Sequence, residues 1–335
     1  ILENAYPNQA FQVIIKIGNY KILKDKIRIE INCHIEDENG QIISPNTFEK
    51  ILVADLKEHI GFILLPELPK FNFSKTDAEG AYNIVLTIND SNSGEEEIIK
   101  TKISLQTSNP SQSIALEGEL EGWRQNYYLD PKPNELIACY LQSMDQIGMN
   151  DNANIQFYAE ALNNALFLIE GINQILIEGE LAQEKRNALN LLIARSNYRG
   201  TDLNGFSKPE LEILHQIREE DEGLYNPLIK EELTHPIELD ILWSLFFANG
   251  KYENVEKIIS TLSYKKNKAV EDLENLSDEE KIQYAIGHAS AWSLESIGRH
   301  HALLKVYMIY TLNRPETSED LKNELISILT QMEEE

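Results

Sequence analysis

The sequence has few cysteines, and this limits the kinds of site that it can build. Only two occur in 335 residues, Cys33 and Cys139. They fall in different predicted domains, and neither belongs to a Cys-x-x-Cys pair or another metal-ligand spacing. We therefore expect no disulfide within a domain and no cysteine-based metal site, and each cysteine should pack as a small core residue.

Long apolar runs are absent as well. The longest candidate, residues 165–177, is interrupted by Glu170, Asn173 and Gln174, whereas a helix that crosses a bilayer needs about 18–20 apolar residues. No P-loop motif, no alternating βαβ pattern and no serine motif in a strand–turn–helix context is found. The sequence thus predicts no membrane-spanning segment, and it gives no support to a P-loop nucleotide site, a dinucleotide fold or a serine nucleophile.

Basic residues are scarce relative to acidic ones. The chain has 30 Lys and Arg against 55 Asp and Glu, for a net charge of −25. Residues 1–107 carry 16 acidic and 11 basic residues, so most of the excess lies in the remainder. Nucleic acid and anionic membranes would be repelled. The charge either serves solubility or forms a docking face for a basic protein partner.

The first residue is Ile1 rather than Met. A cleaved signal peptide and a trimmed boundary would each account for this. Unpaired cysteines fit a secreted protein poorly. On balance we expect an extracytoplasmic location, periplasmic or secreted, and the compartment otherwise stays open.

Side chains alternate between apolar and polar over residues 11–105, which is typical of strands. The clearest run is Ile27–Ile35, and a second strand is predicted over Phe11–Ile17. Asn39-Gly40 predicts a tight primed turn, in which both residues have positive φ. Six to eight short strands separated by turns predict a β-sandwich.

One loop of this half carries a family resemblance. The segment Asp77-Ala78-Glu79-Gly80-Ala81-Tyr82 resembles the tyrosine corner of immunoglobulin-like sandwiches, in which the Tyr hydroxyl bonds back to the backbone just upstream. The resemblance implies an immunoglobulin-like β-sandwich over residues 1–107. The sequence lacks the Cys…Trp…Cys framework of antibody domains.

A polar linker with Pro110 is predicted over residues 108–117, and the pattern beyond it has the helical period. We therefore predict an all-α domain of helical hairpins over residues 118–335. Residues 155–177 read as one long, central apolar stretch. Ser207 with Glu210, and Ser277 with Glu280, predict capping boxes at two helix starts.

Two further resemblances concern the helical half. Residues 243–258 are similar to the middle of a tetratricopeptide repeat, with an aromatic-rich helix that ends at Gly250, followed by Tyr252 and Val255. Tyr252 and Val255 would then pack back on the first helix. Segments 122–131, 239–248 and 291–294 resemble a family of uncharacterised bacterial helical proteins, and this resemblance implies a fold without an activity.

Candidate binding residues follow the linker and the predicted hairpin turn. They are Trp123, Arg124, Tyr127, Tyr128 and Tyr252. Exposed Trp, Tyr and Arg are typical of binding hot spots. The alternative is that Trp123 and Tyr127, four residues apart, fasten the first helix onto the bundle.

No set of residues has the spacing of a metal site. His288, His300 and His301 lie close in sequence, but their spacing suits a packed helix face better than a ligand set. We expect no metal, no cofactor and no catalytic residue.

The function predicted from these observations is a non-catalytic protein-binding or scaffold protein, with a protein partner held by an acidic helical surface. An enzyme such as a hydrolase, with its site in an interdomain cleft, is one alternative. A subunit of a bacterial secretion or surface assembly is another. The oligomeric state stays open.

Overall fold

The computed structural model describes residues 4–7, 10–59, 61–65, 69–74, 76–106, 120–147, 151–178, 181–219, 226–265 and 276–333. Within these residues strands come first and helices follow, as the periodicity predicts. The chain divides into two compact units, Ile1–Asn109 with Asn164–Phe167, and Pro110–Asn163 with Leu168–Glu335. The linker predicted over residues 108–117 lies outside the described residues, so the boundaries at 107 and 118 stay predictions.

Within the described residues, the N-terminal part forms nine strands and three sheets. The strands are β1 (Asn4–Ala5), β2 (Ala10–Gln12), β3 (Lys16–Gly18), β4 (Lys26–Glu36), β5 (Ile42–Asp55), β6 (Phe62–Leu64), β7 (Lys70–Asn72), β8 (Gly80–Asp90) and β9 (Glu95–Leu105). Five of them form one sheet in the order β1-β9-β8-β4-β5. The other two sheets pair β2 with β7 and β3 with β6, both antiparallel.

The core of this part is filled by the apolar side of the alternating strands. In β4 the alternate residues from Ile27 to Ile35 are all buried, as predicted. Cys33 and Ile35 belong to a cluster that also contains Phe11 and Phe71 of the β2–β7 sheet. Apolar side chains from different sheets therefore share one core, and Cys33 packs there as a small core residue, as predicted.

The strand predicted over Phe11–Ile17 is interrupted. Gln12 pairs with Lys70 and Lys16 pairs with Leu64, so three residues on one side face five on the other. Hydrogen bonds from Val13 N to Pro69 O (3.0 Å) and from Leu65 N to Ile15 O (3.2 Å) lie between the two pairings. The unequal lengths break the ladder, as in a large bulge, and two short strands replace one.

The predicted primed turn at Asn39-Gly40 is wrong. Only Gly40 of this pair has a positive φ, 79°. Gly40 N donates to Asp37 O (3.0 Å), and the Asp37 carboxylate accepts from Asn39 N (2.9 Å) and Gln41 N (2.8 Å). The aspartate side chain thus organises a longer turn, with the glycine in the left-handed position at its end.

Tyr82 makes the bond that the tyrosine-corner resemblance implies. Its hydroxyl donates to Ala78 O at 2.6 Å, and its ring lies 4.8 Å from that of Phe73. Asp77 accepts from Ser74 N at 2.7 Å within the same loop. The start of β8 is therefore bound to the segment just before it.

Tyr82→Phe should destabilise the strand-rich part by about 1 kcal/mol, because Ala78 O loses its donor while the ring stays packed. Urea unfolding followed by circular dichroism measures the change. The matched control is Tyr284→Phe, since the Tyr284 hydroxyl has no hydrogen bond within the described residues. Equal stability of the Tyr82→Phe variant and the native protein would show that the corner bond contributes nothing.

The C-terminal part consists of helices. They are α1 (Leu120–Gln125), α2 (Pro133–Ile147), α3 (Asn152–Asn163), α4 (Leu168–Glu178), α5 (Gln183–Arg195), α6 (Lys208–Glu219), α7 (Ile237–Asn249), α8 (Tyr252–Ser260), α9 (Asp278–Gly298), α10 (Ala302–Leu312) and α11 (Glu319–Gln331). Two short 3-10 helices, Pro227–Ile229 and Thr261–Tyr264, complete the described part. None of the described helices is both long and apolar enough to cross a membrane.

The apolar stretch at residues 155–177 is divided between two helices, α3 and α4. The break follows Asn163, whose side-chain oxygen accepts from Asn197 N at 2.6 Å. Asparagine competes with the helix for backbone hydrogen bonds, and here two occur in succession.

The most enclosed described helix of this part is α7. Ten of its thirteen residues are buried, and it contacts α1, α3 and α8. Gly250 ends it with φ 65°, and Gly250 N donates to Phe246 O at 2.7 Å. A Cβ atom at this position would lie 2.7 Å from the Tyr128 ring, so glycine is required here by both conformation and space. The helix pair predicted around Gly250 is therefore present.

The two predicted capping boxes differ in their hydrogen bonds. Ser277 and Glu280 form the full capping box at the start of α9. At α6, Glu210 accepts from Ser207 N and from Ser207 Oγ, both at 2.7 Å, and it also forms a two-pronged ion pair with Arg186 at 2.7 and 3.0 Å. The Arg186 bonds are the largest cause that lowers the pKa of Glu210, from the usual 4.5 to about 2.

Glu210 should make the stability of the helical part depend on pH. Its pKa is lower in the folded chain, so its contribution is complete above pH 4.5 and is lost as the pH falls toward 2. Glu210→Gln should cost about 3–5 kcal/mol at neutral pH, because it leaves Arg186 without its partner.

Urea unfolding at a series of pH values measures this effect. Glu212→Gln, which removes an exposed carboxylate from the same helix, is the control. An acid-induced loss of stability as steep in Glu210→Gln as in the native protein would contradict the assignment.

Candidate functional site

Two of the predicted binding residues, Trp123 and Tyr127, hold α1 in place. Trp123 Nε1 donates to Glu135 Oε2 at 2.9 Å, and the Trp123 ring lies 5.0 Å from that of Tyr127. Tyr127 is buried, and its ring meets Phe157 edge-on. These contacts fit the alternative in which the pair fastens the first helix onto the bundle.

Arg124 lies between them in sequence, but its side chain lies on a different surface. Its Nη1 donates to Asn154 Oδ1 at 2.7 Å, and its guanidinium lies 5.7 Å from the centre of the Phe157 ring. Its side chain is 12% exposed, and Glu121 approaches its Nη2 at 3.6 Å. Arg124 is the one predicted binding residue that reaches the groove described below.

The last two predicted residues are also packed. The ring of Tyr128 lies 5.0 Å from Phe246, and burial raises the pKa of its hydroxyl. The Tyr252 ring lies 5.2 Å from that of Tyr307, and its hydroxyl contacts Thr311 Oγ1 at 2.8 Å. Tyr252 therefore packs on α10, in addition to any contact with α7. The structure does not gather the five predicted residues into one exposed patch.

The helical part contains an open groove. It has a volume of about 610 Å³, its floor is formed by α7, and its walls come from α1, the start of α3, and α9; we call it the α7 groove. The residues that define its character are Arg124, Asp151, Asp240, Trp243, Phe247 and Trp292. Trp243 and Phe247 are buried in its floor, and Trp243 Nε1 donates to Ser293 Oγ at 3.1 Å.

Trp292 is the most exposed large apolar residue of the described chain, with 70% of its surface accessible. It lies off the buried stripe of α9, which includes Ile286, Ser290 and Ser293. These buried residues are four and three positions apart, which is the helical spacing. Trp292 falls outside that spacing, so the sequence alone could have identified it as a surface residue. An indole this exposed loses contact with water only when something covers it.

Two carboxylates give the groove its electrostatic character. Asp240 lies in the first turn of α7, and Asp151 caps α3 by accepting from Asn154 N at 3.1 Å. Burial and the negative charge of Asp151 together raise the pKa of Asp240. Asp240 forms no ion pair within the described residues, and the acids that line the groove, Glu121, Asp151 and Asp240, outnumber its one arginine, Arg124.

The histidines at one end of the groove differ in exposure. His300 is exposed, and His301 is buried. Burial, together with the neighbouring His300, lowers the pKa of His301, so its ring is neutral at neutral pH. The described residues include no group of three or more His, Cys, Asp or Glu that could hold a metal ion.

Comparison with known proteins assigns no function to the site. The sequence matches no protein-family model and no curated protein. The resemblance of segments 122–131, 239–248 and 291–294 to a bacterial helical family therefore stays a prediction.

Trp292 should dominate the quenching of tryptophan fluorescence by acrylamide. It is 70% exposed, whereas Trp243 is 6% exposed and Trp123 is of intermediate burial, so Trp292→Phe should remove the largest share of the quenchable emission. Trp243→Phe is the control, and it should leave the quenching constant almost unchanged. A quenching constant as high in Trp292→Phe as in the native protein would contradict the placement of this side chain.

Proposed function

We propose that this chain is a non-catalytic protein-binding module, and that the α7 groove holds a partner segment with both basic and apolar side chains. The observation that carries the proposal is the exposed Trp292 at the rim of a groove that contains Asp151 and Asp240. No residue of the groove is assigned a catalytic role.

The apolar part of the proposal depends on the aromatic residues. Trp292 stands above a floor that includes Trp243 and Phe247. An aliphatic or aromatic side chain of a partner would cover the indole and remove apolar surface from water, at about 25 cal/mol for each Å² buried. Tryptophan is enriched among the residues that dominate binding energy at interfaces.

The proposed preference for basic side chains in the partner depends on the charge of the groove. Asp240 already has a raised pKa next to Asp151, so a Lys or Arg placed between them would relieve their mutual repulsion. The acidic excess of the chain beyond residue 107 would steer a basic segment toward the groove.

We also propose an immunoglobulin-like sandwich for the N-terminal unit. In the large sheet β1 is parallel to β9, and the other neighbouring strands are antiparallel. The Tyr82 bond to Ala78 O occurs at the start of β8, the position that a tyrosine corner takes. These features support the proposal, as does the core that the strands of different sheets share.

For the helical unit we propose a tetratricopeptide-like helix pair at α7 and α8. The left-handed Gly250 between two helices, with Tyr252 two positions later, supports it. Such pairs commonly present grooves to peptides, which is consistent with the use proposed for the α7 groove.

Fluorescence anisotropy with short labelled peptides tests the binding function. A peptide of alternating Lys and Leu should bind, and its affinity should fall as salt is added. Peptides of alternating Glu and Leu, and of alternating Lys and Ser, should bind at least about tenfold more weakly, because each lacks one of the two required features.

Variants of the groove sharpen this test. Trp292→Ala, and the double variant Asp151→Asn with Asp240→Asn, should each weaken binding about tenfold. The matched controls are Ile177→Ala, which removes another exposed apolar residue, and Asp278→Asn with Asp320→Asn, which removes two exposed acids from first helical turns. Binding that the controls and the groove variants affect equally would overturn the proposal, as would no binding of the Lys–Leu peptide.

A further inference from the structure

A second cavity in the helical unit has the opposite electrostatic character. Its volume is about 340 Å³, and the residues that define it are Arg195, Arg199, Arg218, Asn249, Lys251 and Asn254; we call it the arginine cavity. The chain contains only eight arginines, and three of them line this one cavity. In a chain with a net charge of −25, such a concentration of guanidinium groups needs a physical reason.

Arg199 and Arg218 donate hydrogen bonds to the same backbone carbonyl oxygen. Arg199 Nη1 donates to Tyr198 O at 3.0 Å, and Arg218 Nη2 donates to the same oxygen at 2.6 Å. Two guanidinium groups on one carbonyl oxygen must lie within a few ångströms of each other. Burial and the positive charge of Arg199 both lower the pKa of Arg218.

The described residues supply no carboxylate to this pair. The two acids that line the cavity, Glu160 and Glu253, lie 3.5 and 3.8 Å from Lys251 Nζ. Neither Arg199 nor Arg218 forms an ion pair within the described part of the chain, and buried Arg218 Nε has no hydrogen-bond partner there. The arrangement thus offers two adjacent cations and an unused N–H donor.

We propose that the arginine cavity binds the phosphate group of a small phosphate ester. The phosphate oxygens accept hydrogen bonds from Arg199 and Arg218, whose planar guanidinium groups match the geometry of an oxyanion. The proposal is independent of the α7 groove, which is lined by other residues.

Isothermal titration calorimetry on the full chain, at constant ionic strength, tests the site with glycerol phosphate, inorganic phosphate and acetate. Glycerol phosphate and inorganic phosphate should both bind, and acetate should bind at least about tenfold more weakly than glycerol phosphate. No heat from glycerol phosphate would overturn the proposal, and so would equal affinity for acetate, since that would indicate general attraction of anions.

Two substitutions locate the site. Arg199→Gln and Arg218→Gln should each weaken the binding of glycerol phosphate at least about tenfold, because each removes one of the two cations. Arg199 is exposed, so its variant should fold even if Arg218→Gln does not. Arg28→Gln, which removes an exposed arginine from β4, is the control and should bind like the native chain. Unchanged affinity in Arg199→Gln would overturn the assignment.

Discussion

The helical unit depends on the burial of α7, in which every residue from Glu238 to Ala248 except Asp240 is buried. A helix this apolar is stable in water only when neighbours cover most of its surface. Here α1, α3 and α8 contact it, and Gly250 allows the chain to turn sharply into α8. Burial extends to Glu238, whose carboxylate accepts from Thr234 N at 2.7 Å and His235 N at 3.1 Å and also pairs with Lys230. The same enclosure makes Trp243 and Phe247 the floor of a groove, because the short α1 and the start of α3 leave the space above that part of α7 uncovered.

The order of strands and helices was predictable because burial on one side imposes a period on the sequence. In β4 every second residue is apolar, and the buried positions follow that pattern without exception over Ile27–Ile35. Local geometry was less predictable. The turn at Gly40 depends on the Asp37 side chain, which competes with the primed turn that Asn-Gly favours. The break near Val13 depends on the length of the opposite segment, and no property of residues 11–17 themselves contains that information.

The candidate sites were harder to predict because their residues come together from distant parts of the chain. The aromatic residues after the predicted linker suggested a surface, yet Trp123 and Tyr127 are used to fasten α1. Composition gives the kind of side chain but not the direction in which it points. The exposure of Trp292 was predictable, since this residue lies off the buried stripe of its helix. Its proximity to Asp151 and Asp240, by contrast, arises from the packing of α3, α7 and α9, and it has no signature in any single segment.

The α7 groove and the arginine cavity share one electrical property. Several partly buried charges of the helical unit are paired, as Arg186 is with Glu210 and Arg314 with Glu256. In the groove, by contrast, Asp240 has the like charge of Asp151 as a neighbour, and in the cavity Arg218 has that of Arg199. Like charges that lie close together repel each other and reduce the stability of the fold. The ligands proposed for the two sites, a basic segment in the groove and an oxyanion in the cavity, would supply the opposite charge next to these pairs.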